Sequence, residues 1–177
     1  MSTIQILKTG ITELDVDVMV NAANSDLYAG GGVCGAIFRA AGYEELQEAC
    51  DRIGHCDTGK AVLTPGFRTG AKYIAHAVGP VWNGGDSGEP QLLYSCYGEA
   101  LRLAAEQGCH SIAFPLISSG IYGYPMAGAW NEAIRACRDF IRRNPDAEME
   151  ILFAVLDDNT LRMGRETLRR LAPEAGA

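Results

Sequence analysis

The sequence is short of several features that would otherwise direct a reading of function. It has only three histidines among 177 residues, and its Cys and His residues follow no spacing of a regular structural zinc site. No apolar run approaches the ~20 residues needed to span a bilayer, so no membrane association is expected. The opening residues, Met1 to Lys8, lack the apolar core and small-residue cleavage site of a secretory signal. Cations are in the minority, 15 Lys and Arg against 22 Asp and Glu, for a net charge of −7. Such a surface repels phosphate backbones, so nucleic acid is not an expected partner. An anionic ligand has to be held locally, by backbone N–H groups and helix ends.

What is present is ordinary globular composition, 47% hydrophobic and 21% charged, which excludes a disordered or fibrous chain. On a prior of ~150 residues per domain, residues 1–177 are expected to form one domain. A chain of this size buries roughly 70% of its unfolded surface and needs no metal or disulfide to fold. The six cysteines, Cys34, Cys50, Cys56, Cys96, Cys109 and Cys137, are therefore expected as free, mostly buried thiols in a reducing cytoplasm.

Short runs rich in Val, Ile and aromatics, bounded by Gly, Asn, Pro or Asp, predict strands at 3–7, 16–20, 61–63, 73–78, 111–114 and 151–155. Helical spacing recurs between them. Leu46, Ala49, Cys50 and Ile53 share a face, as do Leu93, Cys96, Tyr97, Ala100, Leu101 and Ala104. The clearest face is Trp130, Ala133, Ile134, Cys137, Phe140 and Ile141, with Arg135, Arg138, Arg142 and Arg143 turned away. A last helix is predicted over 160–171, stopped by Pro173. Residues 79–90 read as a long surface loop. Strands separated by helices imply crossovers and a largely parallel sheet covered on both faces. Ligands of such sheets sit beyond the carboxyl ends of the strands.

Two junctions stand out. In Asn21-Ala22-Ala23-Asn24 followed by Gly30-Gly31-Gly32-Val33-Cys34-Gly35, a strand ends near two amides and a glycine triplet leads into a helix. Glycines let backbone approach a ligand closely, and a helix start offers free N–H groups to an anion. The amides supply the donors and acceptors that sugar hydroxyls need. Alone, such a loop is equally a structural turn. The second junction is Pro115-Leu116-Ile117-Ser118-Ser119-Gly120-Ile121-Tyr122-Gly123-Tyr124-Pro125. Its small residues suit a backbone nest around a diphosphate, and Tyr122 a flat face for a ribose. Pro125 suits the first turn of the next helix. Together the junctions describe a cleft for a sugar-phosphate ligand.

In order and spacing, NAAN, GGGVxGAI, the A-H-x-V-G-P-V-W of 75–82 and SSGIYGYP closely resemble the macrodomain family. The likeness is nearest to bacterial MacroD-type O-acetyl-ADP-ribose deacetylases and mono-ADP-ribosyl hydrolases, and it covers essentially the whole chain. The resemblance implies a three-layer α/β/α sandwich with a mixed, largely parallel central sheet. It implies binding of ADP-ribose, O-acetyl-ADP-ribose or mono-ADP-ribosylated protein, with no further cofactor and no metal. By position, Asn24 would contact the distal ribose, and the backbone of Gly30, Gly31, Gly32 and Val33 would surround that ribose and the diphosphate. Ser118, Ser119, Gly120, Ile121 and Tyr122 would form the diphosphate loop, while Asn21 would brace the first loop. Ile11 and Leu156 would line the adenine side.

The departures from the family pattern bear on activity. Cys34 stands where that pattern has the Asp that positions the attacking water, so the resemblance puts Asn24 and Cys34 at the catalytic positions. A thiol of ordinary pKa ~8.5 is a poor water base, although a helix N-terminus lowers such values. Cys34 is thus read either as a small neutral filler or as a thiolate. The family's acid near the first strand is Gly10 here, and its adenine-stacking aromatic is Leu156. Weaker or less base-selective binding is expected, unless Asp157 or Asp158, otherwise a turn former and cap, supplies a carboxylate. Phe38 replaces the family's His. His76 reads as a core imidazole and His110 as a surface residue. Three readings of function stay open: an ADP-ribosyl ester hydrolase, a non-catalytic ADP-ribose reader, and a regulatory protein-binding module.

Overall fold

The computed structural model describes residues 1–176, and among these it forms a mixed six-stranded sheet of order β1-β6-β5-β2-β4-β3. The strands are β1 (Thr3–Lys8), β2 (Val18–Ala23), β3 (Ala61–Pro65), β4 (Tyr73–Val78), β5 (Ser111–Phe114) and β6 (Glu150–Val155). All pairings are parallel except that of β3, which returns antiparallel along β4 at one edge. The helices are α1 (Gly32–Ala41), α2 (Tyr43–Ile53), α3 (Glu89–Glu106), α4 (Met126–Arg143) and α5 (Asp158–Leu171).

Alternation along the strands builds two apolar layers. Val18, Val20, Ile112, Phe114, Ile151 and Phe153 face α3, α4 and α5, whereas Met19, Ala113, Leu152 and Ala154 face α1 and α2. The result is a three-layer α/β/α sandwich. On the larger side Phe153 stacks on Phe114 with centroids 5.4 Å apart and meets the edge of Trp130 at 5.2 Å.

The strands at 73–78 and 111–114 coincide with the predicted bounds, because Gly and Pro punctuate both. The strand expected over 16–20 instead starts at Val18 and continues through Asn21 to Ala23, because Asn21 lies in register with His76 of β4. The loop expected over 79–90 ends at Gly88, since Glu89 and Pro90 already belong to α3. Pro125 is the N-cap of α4 and not a residue of its first turn, its ψ of 132° being extended. All six cysteines carry free thiols and are buried.

Since β1, β6, β5, β2 and β4 run parallel, the segments leaving their carboxyl ends emerge along one sheet edge. The loops after β2 and β5 are immediate neighbours there, because those strands pair directly.

Candidate ligand-binding site

The first loop, residues 24–31, is built around Asn24. Its Oδ1 accepts the N–H of Tyr28 at 3.1 Å and its Nδ2 donates to the Tyr28 carbonyl at 2.9 Å. Each atom keeps capacity for one further bond, so the half-exposed amide can hold the loop and still meet a sugar hydroxyl. Gln47 of α2 closes the loop from behind, accepting from Ala29 N–H at 3.0 Å and donating to the Leu27 carbonyl at 3.1 Å. Leu27 buries its side chain although its φ is +59°.

This loop delivers the chain to Gly31, the N-cap of α1. The Gly35 N–H bonds the Gly31 carbonyl at 3.2 Å, so the N–H groups of the helix's first turn are free to face a ligand. The loop lies so close against the helix that a Cβ at Gly35 would stand 2.8 Å from the Gly30 carbonyl oxygen. At Gly31 and Gly32 the corresponding positions look into open space.

The second loop is anchored by a side chain from another layer. The hydroxyl of fully buried Tyr97 on α3 donates to the Pro115 carbonyl at 3.2 Å and accepts the Ile117 N–H at 2.8 Å. Further on, the Ser118 carbonyl accepts from Tyr124 N–H, the Gly120 carbonyl from Gly123 N–H, and the Tyr122 carbonyl from Trp82 N–H, each at 2.9 Å. With these three carbonyls engaged, the loop can turn intervening N–H groups to the open side, as an anion nest requires. Ser118 takes a φ of +68°. Its side-chain oxygen is buried without a partner. Ser119 bonds the Leu116 carbonyl through its hydroxyl at 2.8 Å. Gly120 faces open space, Ile121 is 99% exposed and Tyr122 half-buried.

Beneath the first loop sits a buried polar row. Asn21 does not bond that loop; its Nδ2 lies 3.0 Å from His76 Nδ1, and His76 Nε2 lies 3.0 Å from Thr64 Oγ1. Burial pushes the imidazole down to about 4, so it is neutral at pH 7. With Asn21 donating to Nδ1, the ring proton sits on Nε2 and is donated to Thr64. Asn21 Oδ1 is buried without a partner.

Cys34 occupies the third position of α1 and is buried. Burial pushes its thiol up, outweighing the lowering by the Gly30 backbone and the Asn21 side chain. The helix N-terminus does not prevail, and the group stays a neutral thiol at pH 7.

Toward β6 and β1, Ile11 is buried and Leu156 is 71% exposed. Asp157 caps α5, accepting from the Thr160 N–H at 2.8 Å, and exposed Asp158 pairs with Lys8 at 3.0 Å. Both carboxylates are thereby engaged. The acidic group nearest Gly10 is Glu13, whose carboxyl carbon would lie 3.9 Å from a Cβ at Gly10.

Asn24, Gly30 to Cys34 and Ser118 to Tyr122 therefore converge on two adjacent loops, with Ile11 and Leu156 along the same edge. Gln47, Tyr97 and Trp82 were not foreseen, since only the fold brings a mid-helix Gln, a core Tyr and a loop Trp to these backbones. A cavity of about 720 Å³ lined by Tyr94, Glu132, Arg135 and Asp139 shares no residue with either loop. Of its two arginines, Arg135 is already paired with Glu132 and stacked on Tyr94, and the two loops are the better site. Among the described residues no group of three or more His, Cys, Asp or Glu side chains is placed to hold a metal, and no helix is long and apolar enough to cross a membrane.

Comparison with known proteins bears on this edge directly. The family model described as Macro domain matches residues 20–133, a span that includes both loops. A Macro domain-containing protein of Chlorobaculum tepidum is 47% identical over 93% of this chain and 95% of its own length. A protein of Escherichia fergusonii named O-acetyl-ADP-ribose deacetylase is 46% identical over 98% of this chain and 99% of its own. Among solved structures, the Oceanobacillus iheyensis macrodomain with ADP superposes with a TM-score of 0.92 at 34% identity, covering 98% of this chain and 93% of that one. The Trypanosoma brucei macrodomain in complex with ADP-ribose gives 0.85 at 36% identity, covering 93% and 68%.

Proposed function

The chain belongs to the Macro domain family, and we propose that residues 1–177 act as one ADP-ribose-binding unit that hydrolyses an ester at the terminal ribose. The substrates are O-acetyl-ADP-ribose or mono-ADP-ribose on acidic side chains of a protein. The carrying observation is that the loops after β2 and β5 lie side by side, one leading into the N-terminus of α1 and the other into the tight turn of 118–124. The name of the Escherichia fergusonii relative supports the ester as target. Free thiols at all six cysteines support a reducing compartment such as the cytoplasm.

In this reading the 118–122 backbone holds the diphosphate, and Ile11 and Leu156 flank the base. Asn24 and the N–H groups of 30–33 orient the distal ribose. A water held between the ligand's phosphate and the first loop attacks the ester carbonyl, and the α1 N–H groups stabilise the oxyanion that develops. Cys34, being neutral, shapes this space and is not the base. The ligand's own phosphate therefore takes more of the proton transfer, and positioning supplies most of the acceleration.

The raised Cys34 thiol favours one alternative, a reader that binds without turnover. Single-turnover assay with O-acetyl-ADP-ribose separates the two, since a hydrolase releases acetate and a reader returns the ester intact. Calorimetric titration with ADP-ribose tests the site itself: micromolar binding is expected, and its absence overturns both readings.

A further inference from the structure

Glu89 opens α3 and is 1% exposed, yet it is a carboxylate. Its Oε2 accepts the N–H groups of Asn83 at 2.8 Å and Gly85 at 2.9 Å, and its Oε1 accepts that of Ser87 at 2.7 Å. The turn at 83–88 is thus a backbone nest filled by the chain's own anion. Burial alone would raise this carboxyl, but the donated N–H groups of Gly85, Asn83 and Ser87 bring it down to about 2, so it stays charged.

The turn so fixed presses on one side chain. Gly85, at a φ of +91°, lies so close to the Trp82 indole that a Cβ there would be 2.8 Å from the ring. Trp82 also packs against the Tyr124 ring, tilted by 58° with centroids 4.7 Å apart, and its backbone N–H donates to the Tyr122 carbonyl at 2.9 Å. The nest, the indole and the 118–124 loop are thus linked by direct contacts.

We infer that Glu89 is a positioning residue for the 118–124 loop, its carboxylate fixing the 83–88 turn and the turn fixing Trp82 against Tyr122 and Tyr124. What the loop binds rests on the proposed function; the clamp itself does not. Glu89 touches no ligand. It sets the conformational entropy that the loop must lose on binding, so its removal acts on affinity and not on the chemical step.

The test uses Glu89→Ala, a change that empties the nest, with sodium formate as an anion small enough to refill it and sodium chloride of equal ionic strength as control. Two quantities are read: hydrogen exchange at the Trp82, Gly123 and Tyr124 amides without ligand, and ADP-ribose affinity. Exchange at those amides is expected to quicken and affinity to fall roughly tenfold, a loss typical of one loosened set of polar contacts. Formate, and not chloride, is expected to reverse both, and KM for O-acetyl-ADP-ribose to rise with kcat unchanged. Should Glu89→Ala fail to fold, Glu89→Gln, which keeps one acceptor oxygen, is expected to show the same changes at smaller size. In a Trp82→Leu background Glu89→Gln is expected to add nothing. Unchanged exchange, loss of kcat alone, or full additivity with Trp82→Leu overturns the inference. A parent protein that binds no ADP-ribose, yet shows quickened exchange rescued by formate, overturns the proposed function and leaves the clamp standing.

Discussion

The amide of Asn24 grips both backbone polar groups of Tyr28, accepting from the N–H at 3.1 Å and donating to the carbonyl at 2.9 Å. The residue assigned to the distal ribose is therefore also the one that shapes the loop around it. Asn24→Ala removes both bonds, at a cost of about 1–2 kcal/mol for a partly exposed pair. Faster hydrogen exchange across 27–31, together with weaker ADP-ribose binding by calorimetry, is the expected result.

Cys34 is a neutral thiol in a position where a carboxylate could hold water. Cys34→Asp is expected to raise the rate of O-acetyl-ADP-ribose hydrolysis roughly a hundredfold, the lower range for a positioned general base. Cys34→Ser, which stays neutral, should leave the rate within about threefold. Equal rates for all three proteins at unchanged affinity would show that the base does not limit the reaction.

Two glycines of the site should differ in what their substitution does to stability. A side chain at Gly120 meets nothing within 4 Å, so Gly120→Glu should keep the parent's melting temperature while its charge repels the diphosphate and abolishes binding. Gly35→Ala would drive a methyl group to 2.8 Å from the Gly30 carbonyl. Overpacking of that kind costs about 1–3 kcal/mol, so thermal unfolding should show a loss of stability as well as of affinity.

His76 predicts a pH dependence of stability. Its pKa falls from 6.5 to about 4 on folding, through burial. Between those values the unfolded chain binds the extra proton, so the stabilisation is complete above about pH 6.5 and drains away as pH falls toward 4. The loss reaches about 3 kcal/mol by pH 4. Urea unfolding of His76→Gln from pH 7 to 4.5 should show a shallower fall than the parent, from a lower starting stability.

Asp157 is spent on its cap and Asp158 on Lys8, so ADP-ribose and its inosine analogue should bind within about threefold of each other. Gly10 has an extended backbone with room for a side chain. Gly10→Asp combined with Glu13→Gln, which removes the neighbouring charge, should strengthen ADP-ribose binding about tenfold and leave the inosine analogue behind. Equal gains for both ligands would place the new carboxylate away from the base.

Much of this protein was legible in its residues alone. The strands at 73–78 and 111–114, the apolar faces of α3 and α4 and the positions of both glycine-containing loops could be read because each depends on residues adjacent in sequence or one helical turn apart. What resisted reading depends on partners far along the chain. The bracing of the first loop, expected of Asn21, falls to Asn24 because Asn21 is drawn into register with His76, 55 residues away. The Tyr97 hydroxyl and the Gln47 amide sit on ordinary helices until the sheet brings them under the loops. At Cys34 the sequence shows a helix start, which lowers a thiol pKa, but packing of α1 against the core buries the sulfur and reverses the outcome. Local sequence determined which backbone segments bend, extend and coil; desolvation and long-range hydrogen bonds, which exist only once the layers close, decided the charge and the partner of each side chain at the site.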